Sequence, residues 1–115
     1  MNISLIDSKA WVLLMLAGLL EVVWVTSMKA SNGFTRFGLA LLTFAAAWAS
    51  FWLLGMAMRT LPMGTAYAVW TGIGAVGAAV LGILFFQEPA HLVRIGCIAL
   101  IAIGILGLHL TSAHG

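Results

Sequence analysis

The sequence predicts an all-α membrane protein of four transmembrane helices, and three observations carry that prediction. Of its 115 residues, 63% are hydrophobic and only 7% are charged, with a mean hydropathy of +1.16. A water-soluble domain could not cover itself with so little polar surface, whereas a bilayer accepts it. Four apolar stretches each reach the roughly 20 residues that a helix needs to cross the hydrocarbon core. The segments between them are short and rich in turn formers. Strands are excluded because four of them could not close a barrel, and an open edge in lipid leaves backbone groups without partners.

The first predicted helix spans about 10–28. It follows Lys9 and could pass for a signal peptide, but Glu21 interrupts the apolar run and no small-residue cleavage site follows. It is therefore read as a retained helix with no soluble domain on either side. The second is expected at 37–58, the third at 64–86 and the fourth at 92–110, forming one transmembrane domain over 1–115. The connections Lys29-Ala-Ser-Asn-Gly-Phe-Thr-Arg36, Arg59-Thr-Leu-Pro-Met63 and Gln87-Glu-Pro-Ala90 force consecutive helices to run antiparallel. Met1 and Gly115 then fall on the same side. Lys9 and Arg59 occupy that side, and Lys29, Arg36 and Arg94 the other. So small a bias hardly chooses an orientation, so the chain inserts both ways or something outside its sequence decides.

Composition also limits the chemistry. The net charge of +2 comes from scattered groups, without the basic cluster of a nucleic-acid surface. The single Cys97 in an apolar stretch offers neither a disulfide framework nor metal spacing and reads as packing. Gly72-Ile-Gly-Ala-Val-Gly77 matches the spacing of a dinucleotide-binding turn. That turn requires a preceding strand in a soluble βαβ unit, so here the motif reads as a close-packed or kinked piece of helix. No enzyme activity, cofactor or metal is expected.

Glu21 is the residue on which function turns. An acid at this depth costs about 3 kcal/mol on insertion scales, and Lys29, the nearest basic residue along the chain, is two turns away, roughly 12 Å at helical rise. Its helix face also carries Leu14, Ala17, Gly18, Trp24 and Met28. The small residues leave space beside the carboxylate. Trp24 offers a ring face to a cation or an indole N–H to the acid, with plain packing as the alternative. On the third helix Gly64, Tyr67, Trp70, Thr71 and Gly74 fall on one face as a polar and aromatic stripe. Ser50, with Ala46 and Ala47 a turn before it, expects a close helix neighbour. Its hydroxyl could donate to Glu21 or to its own i−4 carbonyl. Gly96, Gly104 and Gly107 on the fourth helix suggest close contact or a dimer seam. His91, His109 and His114 lie at the ends of that helix and read as interfacial or solvated. Trp11 reads as an interfacial anchor, and Trp48 and Trp52 as packing.

Glu21-Val-Val-Trp24, Met28-Lys-Ala-Ser-Asn-Gly-Phe-Thr-Arg36, Ser50-Phe-Trp52 and the run from Leu61-Pro-Met-Gly through Tyr67-Ala-Val-Trp70 to Gly74 together resemble the small multidrug resistance family over nearly the whole chain. Trp24 after Glu21-Val-Val, with Trp70-Thr-Gly-Ile-Gly-Ala-Val-Gly77, resembles its guanidinium-exporter kind. The resemblance implies proton-coupled antiport of guanidinium-like cations across the bacterial inner membrane by an antiparallel homodimer, or by a pair with a related chain. It implies site roles for Glu21, Trp24, Ser50, Tyr67 and Trp70. One departure is Gly107-Leu-His109, where a Lys is expected in close relatives, which bears on local gating. A quaternary-ammonium or broader drug exporter is the nearest alternative, and a non-transporting membrane subunit or passive channel the next.

Overall fold

The computed structural model describes the backbone of residues 3–114 and the side chains of residues 8–111. It is all-helical: α1 (Ile3–Ala30), α2 (Phe37–Ala57), α3 (Met63–Phe85) and α4 (Leu92–His114). Each contains a stretch long and apolar enough to cross a membrane, namely Ser8–Ala30, Phe37–Ala57, Met63–Phe85 and Leu92–Thr111. Six ends differ from expectation, four by only one or two residues and two by more. α1 begins about two turns earlier than 10, because Asp7, Ser8 and Lys9 cost a helix little once apolar residues follow. α4 continues past 110 through His114, since the last turn of an established helix takes in Thr, Ser and Ala at small cost.

The helices stand side by side in the order α2, α1, α3, α4, with α2 and α3 meeting only lightly. This arrangement explains dimensions of 48 × 35 × 17 Å. Four helices at 8–10 Å spacing make up the width, and the 28 residues of α1 supply a length of about 42 Å. α1 is the shared wall, and the buried residues are mostly small: Ala10, Ala17, Ala57 and Ala66, with Leu14 and Val69 filling the gaps. Small residues let backbones approach in a solvent where apolar surface alone gives no drive to associate.

The turns are held by local bonds. Ser31 is fully buried; its hydroxyl donates to the Met28 carbonyl at 2.7 Å and accepts the Phe34 N–H at 3.0 Å. Asn32, Gly33 and Phe34 then adopt left-handed backbone, and the Phe34 ring stacks on Phe44 at 5.4 Å. After α3, left-handed Gln87 turns the chain so that the Phe86 and Glu88 N–H groups both reach the Gly82 carbonyl.

Met1 and Gly115 lie outside the described residues. The start of α1 and the end of α4 nonetheless share a side, since Trp11 meets His109 edge-on at 4.5 Å. His91 and His109 are both exposed, as expected, and His109 also meets Trp11; the side chain of His114 lies outside the described residues.

Candidate functional site

Glu21 is 7% exposed on the side of α1 that faces α3. The reason it fits is Gly74: a Cβ built there would overlap the Glu21 carboxylate. One turn earlier Gly18 receives Ile73, and Gly77 receives Val22. Gly72, on the opposite side of α3, receives Ile105 of α4. The glycine-rich stretch is thus an uninterrupted helical segment pressed between α1 and α4, with no strand before it.

Ser50 does not reach Glu21. Its hydroxyl donates to the Ala17 carbonyl of α1 at 2.7 Å and accepts the Trp70 indole N–H at 2.9 Å. The expected close neighbour is present, but the bond goes neither to the carboxylate nor to its own helix. It ties α1, α2 and α3 together one turn from Glu21. A buried hydroxyl that both donates and accepts has met its demands.

Trp24 also departs from one of its two expected roles. Its indole nitrogen is buried and has no hydrogen-bond partner, so it does not donate to Glu21. Its ring instead meets Phe51 edge-on at 6.3 Å. Phe51 meets Trp70 at 5.7 Å, and Trp70 meets Tyr67 at 5.6 Å. An aromatic row therefore runs across α1, α2 and α3 in the order Trp24, Phe51, Trp70, Tyr67. Phe51 was absent from the sequence-based set. The signal available was its place in Ser50-Phe-Trp52, but helical spacing sets it 100° away from Ser50.

The stripe expected on α3 divides. Trp70 and Gly74 are buried, Gly64 and Tyr67 are exposed, and Thr71 bonds its own helix through the Tyr67 carbonyl at 2.8 Å. Tyr67, 54% exposed, reaches the cluster only through Trp70. Trp48 and Trp52 are exposed and tilt toward each other at 6.3 Å, so within the protomer they fill no core. Among the described residues nothing lies within 4 Å of a Cβ built at Gly96, Gly104 or Gly107, so the close contact expected of them is not made within the described protomer.

Among the described residues no three His, Cys, Asp or Glu side chains come together as a metal site. A cleft of about 350 Å³ lies away from Glu21, between α1 and α3 near Lys29 and Arg94. Within one protomer the Glu21 carboxylate lies directly against Gly74.

The family model described as Small Multidrug Resistance protein matches residues 9–101. A guanidinium exporter of Yersinia pseudotuberculosis is 54% identical over 103 residues, covering 90% of this chain and 99% of that protein. Guanidinium exporters of Salmonella typhimurium and Escherichia coli are 53% and 50% identical, each over 90% of this chain and 98% of their own length. With four membrane-capable helices and matches across nine-tenths of its length, the chain belongs to the small multidrug resistance family.

Proposed function

We propose that this protein exports guanidinium and small guanidinyl cations across the bacterial inner membrane in exchange for protons, as an antiparallel homodimer. The observation that carries this reading is Glu21, a carboxylate enclosed against Gly74 inside the membrane span. The guanidinium-exporter names of its relatives support the substrate.

Guanidinium is planar, charged at neutral pH and rich in N–H donors, so a carboxylate grips it through parallel charge-assisted hydrogen bonds. Two Glu21 side chains, one per protomer, flank it. Trp24 and Trp70 bound the space with ring faces, Ser50 fixes Trp70 by its bond, and Tyr67 closes the outer end of the row. A pair of carboxyls holding protons cannot hold the cation. A dimer that changes its access only when loaded therefore exchanges one for the other. Opposed protomers make the two access states equivalent by symmetry, and the nearly even basic residues on the two sides permit such insertion.

The test is a proteoliposome assay in which an imposed guanidinium gradient drives proton movement, with tetra-alkylammonium and urea as comparison solutes. Guanidinium alone is expected to drive it. Equal driving by tetra-alkylammonium would favour the multidrug reading, and proton movement with none of the three would remove coupled export.

A further inference from the structure

The 350 Å³ cleft between α1 and α3 lies outside the aromatic row and the Glu21 contact, and its chemistry is divided along its length. Its α3 wall is mostly small, Ala75, Ala78, Ala79 and Gly82 with Leu81, closed by Phe86 just beyond the helix, and its α1 wall is Val25 and Thr26. Its mouth holds Lys29, Glu88 and Arg94. Glu88 lies against Gly82, where a Cβ would meet its carboxylate, and accepts one N–H of Arg94 at 2.6 Å. That single bond fixes the guanidinium at the mouth and leaves most of its five N–H donors free. Lys29 has no ion-pair partner among the described residues. Two cations against one anion leave the mouth with one positive charge.

From Ala75 to the end of α3 at Phe85 is about 15 Å of helical rise, half of the roughly 30 Å hydrocarbon core. The groove therefore has the depth of one leaflet, an apolar floor, and a cationic mouth at the level of the headgroups. A helix of about 10–12 Å diameter is too broad for this volume, whereas a single hydrocarbon chain follows it. We propose that this groove binds one anionic phospholipid, with its phosphodiester against Lys29 and Arg94 and an acyl chain along the alanine wall of α3. Basic pockets between transmembrane helices recognise anionic headgroups in this way. The site is independent of the export reading, because lipid binding is measured without transport.

The test uses the purified full chain in vesicles of phosphatidylcholine and phosphatidylglycerol with matched acyl chains, and native mass spectrometry of the lipid retained. Preferential retention of phosphatidylglycerol is expected. Lys29→Gln, which leaves the Glu88–Arg94 pair intact, is expected to reduce that preference about fivefold, the scale of one basic residue at an anionic surface. Ala78→Leu fills the groove without changing charge and is expected to reduce retention as well, at unchanged helix content. Lys9→Gln, at the opposite end of α1, is expected to leave it unaltered. Equal retention of the two lipids, or equal losses from Lys29→Gln and Lys9→Gln, would overturn the proposal. So would release of the lipid by millimolar inorganic phosphate, which would make the mouth a free-anion site.

Discussion

Two glutamates of this chain lie against glycines of the same helix, and they differ in what neutralises them. Glu21 presses on Gly74 and Glu88 on Gly82, two turns or about 12 Å apart along α3. In both places the missing side chain lets a carboxylate approach the helix. Glu88 stands at the membrane boundary, half-exposed, and has its own cation in Arg94 at 2.6 Å. Glu21 sits inside the span, nearly inaccessible, and no described Lys or Arg reaches it. The acid that serves structure carries its partner with it. The acid kept inside the membrane has no such partner among the described residues, which fits the proposed exchange of a cation for protons at Glu21.

The sharpest way to break this contrast is to remove the charge of each acid in turn. Glu21→Gln is expected to lower guanidinium-driven proton movement in proteoliposomes by about two orders of magnitude or more, the scale of losing a buried charge partner. On the proposed reading protons and the cation compete for Glu21, so guanidinium binding to the parent is expected to weaken as pH falls. In Glu21→Gln that dependence disappears. A variant that still exchanges protons for guanidinium near the parental rate would show that Glu21 does not carry the substrate.

Filling the glycines comes next. Gly74→Ala forces the buried Glu21 carboxylate aside and is expected to cost about 1–3 kcal/mol of stability, the usual range for overpacking, read from unfolding in detergent. Gly82→Ala displaces only the end of the half-exposed Glu88 side chain and is expected to stay within about 1 kcal/mol of the parent. Only Gly74→Ala is expected to lower guanidinium transport, by tenfold or more. If the two variants lose stability alike and transport alike, Gly74 is a packing glycine and nothing further.

A smaller effect is expected from Trp24→Gly. The change opens apolar space beside Glu21 and removes the edge contact with Phe51. Guanidinium transport is expected to weaken while bulky hydrophobic cations gain, by about 1–3 kcal/mol of discrimination, as for one pocket contact. Competition among guanidinium, phenylguanidinium and a tetra-alkylammonium reads this out. An unchanged ranking would place Trp24 outside the substrate's reach.

The smallest effect belongs to the outer acid. Glu88→Gln breaks an ion pair whose side chains are 30% and 39% exposed, a class worth about 0–1 kcal/mol. Transport within about twofold of the parent is expected. A loss comparable to that of Glu21→Gln would end the distinction between the two acids.

The amino-acid sequence by itself determined the four spans, their alternation and the one acid within them, because a bilayer leaves a chain of this composition only helices of membrane length. It also singled out Trp24, Ser50, Tyr67 and Trp70, which with Glu21 lie on the three helices that pack together. It could not say which of them meet. In lipid an apolar helix face carries no mark of facing inward, since hydrocarbon surrounds it either way. Only the tertiary structure therefore decided the order α2, α1, α3, α4, the place of Phe51 between Trp24 and Trp70, and the bond of Ser50 to the Ala17 carbonyl. The same holds for Gly74, read from sequence as part of a polar stripe. Its role as the surface that receives Glu21 depends on two backbones approaching closely, and that approach is set by matching small residues across an interface rather than by any residue alone.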